Sequence, residues 1–168
     1  VFQESIGRRG LLALGIALAL AGGPAAAIPR MSPDACRGQP ELKPLQPLQV
    51  VTDKGTHSFQ VEVADSAQER EYGLMCRKSL AADRGMLFIF PKADYQAFWM
   101  RNTLIALDIV YIGADGKVVS IVRNARPLDE SPLPSSGPAL GVLELAAGRA
   151  GQIGLLPGDR IVHRAFPK

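Results

Sequence analysis

From Gly85 to Ile112 the chain reads GMLFIFPKADYQAFWMRNTLIALDIVYI, a run that holds the only tryptophan, Trp99, and two of the four methionines. Asn102, Thr103 and Asp108 stand in it among residues with strand patterning. Hydrogen-bonding groups in such a setting either cap a turn or face a ligand. A tryptophan beside a short amide and a hydroxyl suits a small polar or saccharide-like ligand, because the ring stacks while the polar groups fix orientation. The structural alternative puts Trp99 and Met100 in the core, with Asn102 and Thr103 capping the turn between two strands.

Arg77, Asp108, Glu144 and Asp159 are charged residues set beside apolar runs. Buried charges need partners, so Arg77 is expected to pair with one of the three carboxylates. Its guanidinium is alternatively an anchor for a ligand carboxylate or phosphate. Two of the carboxylates, if they shared a cleft, could serve as acid and base in glycoside cleavage, which is the hydrolase alternative. Asp159 follows Pro157-Gly158 and also reads as a turn-closing residue. Met75, Met86 and Met100 with Cys76 form a soft-ligand set, but methionines in apolar runs usually fill gaps. No CxxC, HExxH or GxSxG occurs, and His57 and His163 are solitary. No metal, cofactor or catalytic residue is therefore assigned.

The first 27 residues read as a signal peptide. Arg8 and Arg9 precede an apolar run, Leu11 to Leu20, which ends at Gly22-Gly23-Pro24 and the small residues Ala25 to Ala27. That run is about half the ~20 residues a membrane-spanning helix needs, so no stable anchor is expected after cleavage. The RRGLL run loosely matches the twin-arginine pattern, but paired arginines are ordinary in such leaders, so the general export route is favoured over the twin-arginine one. The expected location is periplasmic or secreted. Cleavage leaves 141 residues, the length of one domain, and a net charge of +2 instead of +3. The scattered basic residues exclude nucleic acid as an expected partner. Cys36 and Cys76 could bridge in an oxidising compartment, or Cys76 could be a buried thiol in its apolar run.

Residues 28–47 read as a flexible Pro-rich arm, and 48–168 as a single β-rich domain. LQVVT and SFQVEV flank a turn at Asp53-Lys54-Gly55. Ser66 and Glu69 have capping-box spacing for a short helix that stops near Gly73. MLFIF is expected to end at Pro91, followed by extended structure at Ala97 to Met100 and a strand at Leu107 to Ile112. A hairpin then leads into VVSIVRN. Arg126 to Pro138 reads as a long loop, VLEL as a strand, Ala146 to Gln152 as a Gly-broken turn, and RIVHRAF as the last strand. These elements predict a compact, mainly β antiparallel barrel or sandwich with one or two short helices.

The ordered run of EREYGLMCR, RGMLFIF, FWMRNT, LDIVYI, DGKVV, VLEL with AAG, and LPGDRI resembles the family catalogued as domain of unknown function 192. The resemblance covers Phe59 to Phe166. It implies a small, often exported, β-rich protein without an agreed activity. The matching motif positions are Gly73, Met75, Arg77, Gly85, Met86, Trp99, Met100, Asn102, Thr103, Asp108, Glu144, Gly158 and Asp159. Cys76 departs from the pattern, which argues against a thiol nucleophile.

Together these features lead to an expected non-catalytic module of the cell envelope. It would bind a small polar or saccharide-like ligand through Arg77, Trp99, Asn102, Thr103, Asp108, Glu144 and Asp159. The alternatives are a carboxylate-dependent hydrolase and a protein-interaction module that engages an envelope protein through the 126–138 loop or a free strand edge.

Overall fold

Strand alternation sets up the start of the domain. β1 (Gln46–Thr52) and β2 (Gly55–Ala64) form a hairpin in which Thr52 lies opposite Gly55. The computed structural model describes residues 36–37 and 43–167, so the expected signal peptide and most of the arm lie outside the described residues. α1 (Ala67–Tyr72) begins with the reciprocal cap read from the sequence. The Glu69 N–H donates to Ser66 Oγ at 3.2 Å, and the Ser66 N–H donates to Glu69 Oε2 at 2.9 Å. Gly73 ends the helix with φ 48°, and a Cβ there would lie 3.0 Å from the Phe88 ring.

The helix carries the chain over the sheet so that β3 (Arg84–Asp94) returns parallel to β2, a pairing the all-antiparallel expectation did not contain. Parallel neighbours need a crossover connection of this kind. The remaining elements are β4 (Ala97–Phe98), β5 (Leu107–Ile112), β6 (Val118–Ala125), β7 (Leu133–Pro134), β8 (Ala139–Ala146), α2 (Arg149–Gln152) and β9 (Arg160–Val162). Seven strands make one sheet in the order β6-β5-β8-β3-β2-β1-β9, while β4 and β7 form a small second sheet. The fold is mainly β, a curled half-barrel. β9 draws its edges together: it pairs with β1, and Arg160 also bridges to Lys117 just before β6.

Both faces of the central strands are buried, so the molecule has two cores. All six residues of β5 are buried. Val110 and Ile112 face an inner core with Val61, Leu87, Leu143 and Leu145. Leu107, Ile109 and Tyr111 face an outer core with Met86, Phe88, Met100 and Val142. The inner core is enclosed by the curl of the sheet. The outer core lies against α1, β4 and the turns between them.

Several boundaries differ from the sequence reading. β3 continues through Pro91 because the pairing with β8 shifts between Ile89 and Asp94, which frees that segment from the need for a ladder donor. The long 126–138 loop contains β7, whose pairing with β4 fastens it over the outer core. The last strand is only three residues long. Cys36 and Cys76 are bridged with a sequence separation of 40, which on chain entropy is worth about 4 kcal/mol. The Tyr72 hydroxyl also donates to the Arg37 carbonyl at 3.0 Å.

Gly85 lies opposite Leu145 on β8, and a Cβ there would lie 2.7 Å from the Glu144 carbonyl oxygen and 3.0 Å from Leu145 Cδ2. Backbone cannot yield as a flexible side chain can. Gly85→Ala is expected to lose about 2 kcal/mol or more, read as a lower denaturant midpoint at unchanged m-value.

Candidate functional site

The outer core is not completely covered. A recess of about 180 Å³ opens between α1, the turn that follows it, β3 and β4. Arg70, Tyr72 and Gly73 form one wall, Phe88 and Phe90 of β3 the back, and Phe98 and Trp99 the opposite rim. Thr103 and Glu144 lie at its inner end. Met86, Phe88 and Phe90 share one side of β3 by period-two alternation, which is why two of these rings reach the same space. Phe98 packs edge-on against Phe88 at 5.0 Å between centroids, and Trp99 remains 46% exposed at the mouth.

Glu144 is the unusual group. In register it lies between Met86 of β3 and Ile109 of β5, so its side chain leaves the sheet on the outer face. It is 4% exposed and has no hydrogen-bond or ion-pair partner among the described residues. Desolvation alone raises its pKa to about 8. The Tyr111 phenol on β5 is also pushed up, by burial and by the charge of Glu144, and it donates to the Leu133 carbonyl. On the wall, Arg70 is already engaged. Its guanidinium donates to the carbonyls of Asp65 (2.6 Å) and Ile89 (2.9 Å) and lies over the Phe90 ring.

Of the seven residues expected at a binding site, Trp99, Thr103 and Glu144 meet in this recess. Asn102 stands behind it in the left-handed region (φ 55°), with Nδ2 3.9 Å from Met75 Sδ and its carbonyl accepting the Cys76 N–H. Arg77 pairs with Glu62 at 2.9 Å, not with Asp108, Glu144 or Asp159, and lines a separate depression of about 490 Å³. Backbone amides already satisfy Asp108 and Asp159, while Glu144 lines the other recess. Asp108 accepts the Asn124 and Ala150 N–H groups at 2.9 and 2.8 Å, and Asp159 accepts the Leu156 N–H at 2.7 Å to close its turn. Met100 is fully buried in the outer core.

Asp108 and Glu144 occupy adjacent strands but project from opposite faces. Asp108 is in register with Leu145, an inner-core residue, and Glu144 with Ile109, an outer-core residue. The two carboxylates therefore do not flank one bond, and the arrangement offers a single acid rather than an acid–base pair. Among the described residues no group of three or more His, Cys, Asp or Glu is placed to hold a metal ion. A wider apolar groove, about 1000 Å³, runs beside β1 and β9. Its buried polar residue, His163, is already engaged by Gln46 Oε1 and the Ala165 N–H.

Residues 49–163 match the family model for DUF192, described as Uncharacterized ACR, COG1430. The chain belongs to the DUF192 family. It is similar to a solved protein of unknown function from Novosphingobium aromaticivorans DSM 12444, with 38% identity and a TM-score of 0.71 over 80% of this chain and all of that one. It is also similar to a Sinorhizobium meliloti 1021 protein for which a role as transcription regulator has been suggested, with 37% identity and a TM-score of 0.72 over 77% of this chain and all of that one. No curated protein matches the chain. Membership of DUF192 thus fixes the fold, and the reading of the site rests on its geometry.

The sequence reading did not assign Tyr72, Phe88, Phe90 and Phe98 to the site. The alternation of Phe88 and Phe90 was visible in MLFIF, but nothing local indicated that their face is left partly open.

Two variants test this electrostatic account. The folded-state pKa of Glu144 lies above its ordinary 4.5, so its contribution to stability is full below pH 4.5 and is lost as pH rises towards 8. Thermal melts between pH 5 and 9 should show this loss, on the order of 4 kcal/mol, and Glu144→Gln should flatten it. Asp108→Asn turns one acceptor into a donor facing a backbone N–H, and should lower stability by about 2 kcal/mol at neutral pH in urea titrations.

Proposed function

We propose that this protein is an exported, non-catalytic binding module of the cell envelope whose ligand is a small polar, saccharide-like molecule held in the recess below Trp99. One observation carries the reading: a carboxyl group, 4% exposed and without a partner, faces a recess whose rim is a half-exposed indole. An unpartnered buried polar group is costly to the free protein, and a ligand that hydrogen-bonds to it removes that penalty. Trp99 offers a ring face for stacking, and the neighbouring Thr103 lines the same space. The size of the recess suits one ring or a small head group rather than a long chain.

Export is supported by the Arg8-Arg9 leader pattern and by the Cys36–Cys76 bridge, since disulfides persist in oxidising compartments. The 126–138 loop, read earlier as a docking element, is fastened by the β4–β7 pairing and by the Met100 N–H donating to the Asp129 carbonyl at 2.7 Å. That attachment favours a role as cover for the outer core, where Leu133 packs, over a free interaction arm.

Ligand-detected NMR against monosaccharides and envelope-derived fragments checks the proposal. Binding in the micromolar to millimolar range is expected, and Trp99→Ala should weaken it about tenfold. Absence of binding by every compound, or affinity untouched in Trp99→Ala, would remove the recess as the site.

A further inference from the structure

We propose that the ligand of this recess carries an ammonium group, which the aromatic rim and the Glu144 carboxylate hold together. The inference rests on the reading of the recess as a binding site and narrows its chemistry. Five aromatic side chains line the recess: Tyr72, Phe88, Phe90, Phe98 and Trp99. Ring faces are electron-rich, and cations are drawn to them most strongly where water is excluded. Two protein cations already use these rings, Arg70 over Phe90 and Arg101 over Trp99, each 5.5 Å from the centroid. At the inner end stands a carboxyl group without a counter-ion. Aromatic walls around an unpaired carboxylate form the arrangement that recognises alkylammonium groups.

A neutral ligand would leave Glu144 as a protonated acid. A cation supplies the missing opposite charge, ionises the carboxyl group and releases its proton to the buffer. The charged and titratable groups facing this space are Arg70, Glu71 and Tyr72 from α1 and Arg101 over the Trp99 rim, with Tyr111 beside Glu144 on β5. Arg70 does not compete for Glu144, because two main-chain carbonyls and the Phe90 ring hold it on the wall. β3 and β4 present no ionisable side chain to the recess, and the turn before Thr103 presents Arg101 only at the Trp99 rim.

The two charge states of Glu144 predict opposite pH dependences. Affinity for a permanent cation rises as pH increases towards and past 8, whereas affinity for a ligand that accepts the acid proton falls over the same range.

Isothermal titration of the full chain with choline, which has no titratable amine, and with its uncharged carbon isostere dimethylbutanol provides the test, with glucose and glucosamine as the ring-shaped pair. Choline is expected to bind at least about tenfold more tightly than dimethylbutanol, and its affinity should rise at least about tenfold from pH 6 to pH 9. Glu144→Gln should abolish the rise with pH and reduce the preference, leaving what the aromatic walls alone supply. If the neutral members bind as well as the cations, or choline affinity falls with pH, the ammonium assignment is overturned while the recess remains a ligand site. If none of the four binds the folded wild-type protein, the ammonium assignment is also overturned. Binding of other compounds in the saccharide panel then decides whether the recess is a site at all.

Discussion

A sheet buried on both faces can keep a carboxylate only by matching it or by leaving it a route to something outside the protein. β5 and β8, adjacent interior strands of this half-barrel, each carry one such group, and they resolve the problem differently. Asp108 points to the inner side, where the Asn124 and Ala150 amides meet it. Glu144 points to the outer side, where Met86 and Ile109 flank it in register and offer no donor. The inner side is sealed by the curl of the sheet itself. The outer side depends on a cover assembled from short pieces, and the recess marks where those pieces stop short of closure.

That cover is held by a few specific ties more than by area. The disulfide fastens Cys36 to the turn after α1, and Tyr72 donates to the Arg37 carbonyl. The Cys76 N–H reaches the Asn102 carbonyl, and the Leu128 N–H reaches that of Thr103. Among the described residues, three of the four non-glycine residues with positive φ, Cys76, Asn102 and Leu128, belong to this assembly. Left-handed backbone at a leucine or cysteine is disfavoured and persists where surrounding contacts fix it. Such over-determined turns hold the Trp99 rim and the Thr103 side at a fixed separation from α1. The recess is therefore preformed, which lowers the ordering cost of binding.

Much of this architecture could be read from the sequence because local signals governed it. Ser66 and Glu69 announce the α1 cap, Gly73 its end, and the alternation of Phe59, Val61 and Val63 a strand with one buried face. Leu107 to Ile112 matches β5 residue for residue. What could not be read depends on pairings distant in sequence. Pro91 is tolerated inside β3 only because β8 shifts register beside it, and the Pro-rich 126–138 segment contains β7 only because β4 lies opposite. The same holds for the site. Trp99, Thr103 and Glu144 stood out by composition, but the face each carboxylate occupies follows from the β5–β8 register, which no local pattern encodes. Arg77 looked like a partner for the buried carboxylates, and the fold gives it Glu62 on the neighbouring strand instead.

A purely architectural role for Glu144 has one physical basis: a polar side chain on the outer face penalises a one-residue slip of β8, which would turn it into the inner core among Leu87, Leu143 and Leu145. Register explains polarity at the position but not ionisability, since a neutral amide would resist the same slip without losing stability as pH rises. Nor does it account for the recess, because register is pinned equally well when the polar group is sealed and satisfied, as Asp108 is on the adjacent strand. Solubility is no explanation for a side chain that is 4% exposed. An ionisable group maintained at a stability cost, open to a preformed aromatic space and lacking a partner within the protein, is accounted for when the partner comes from outside.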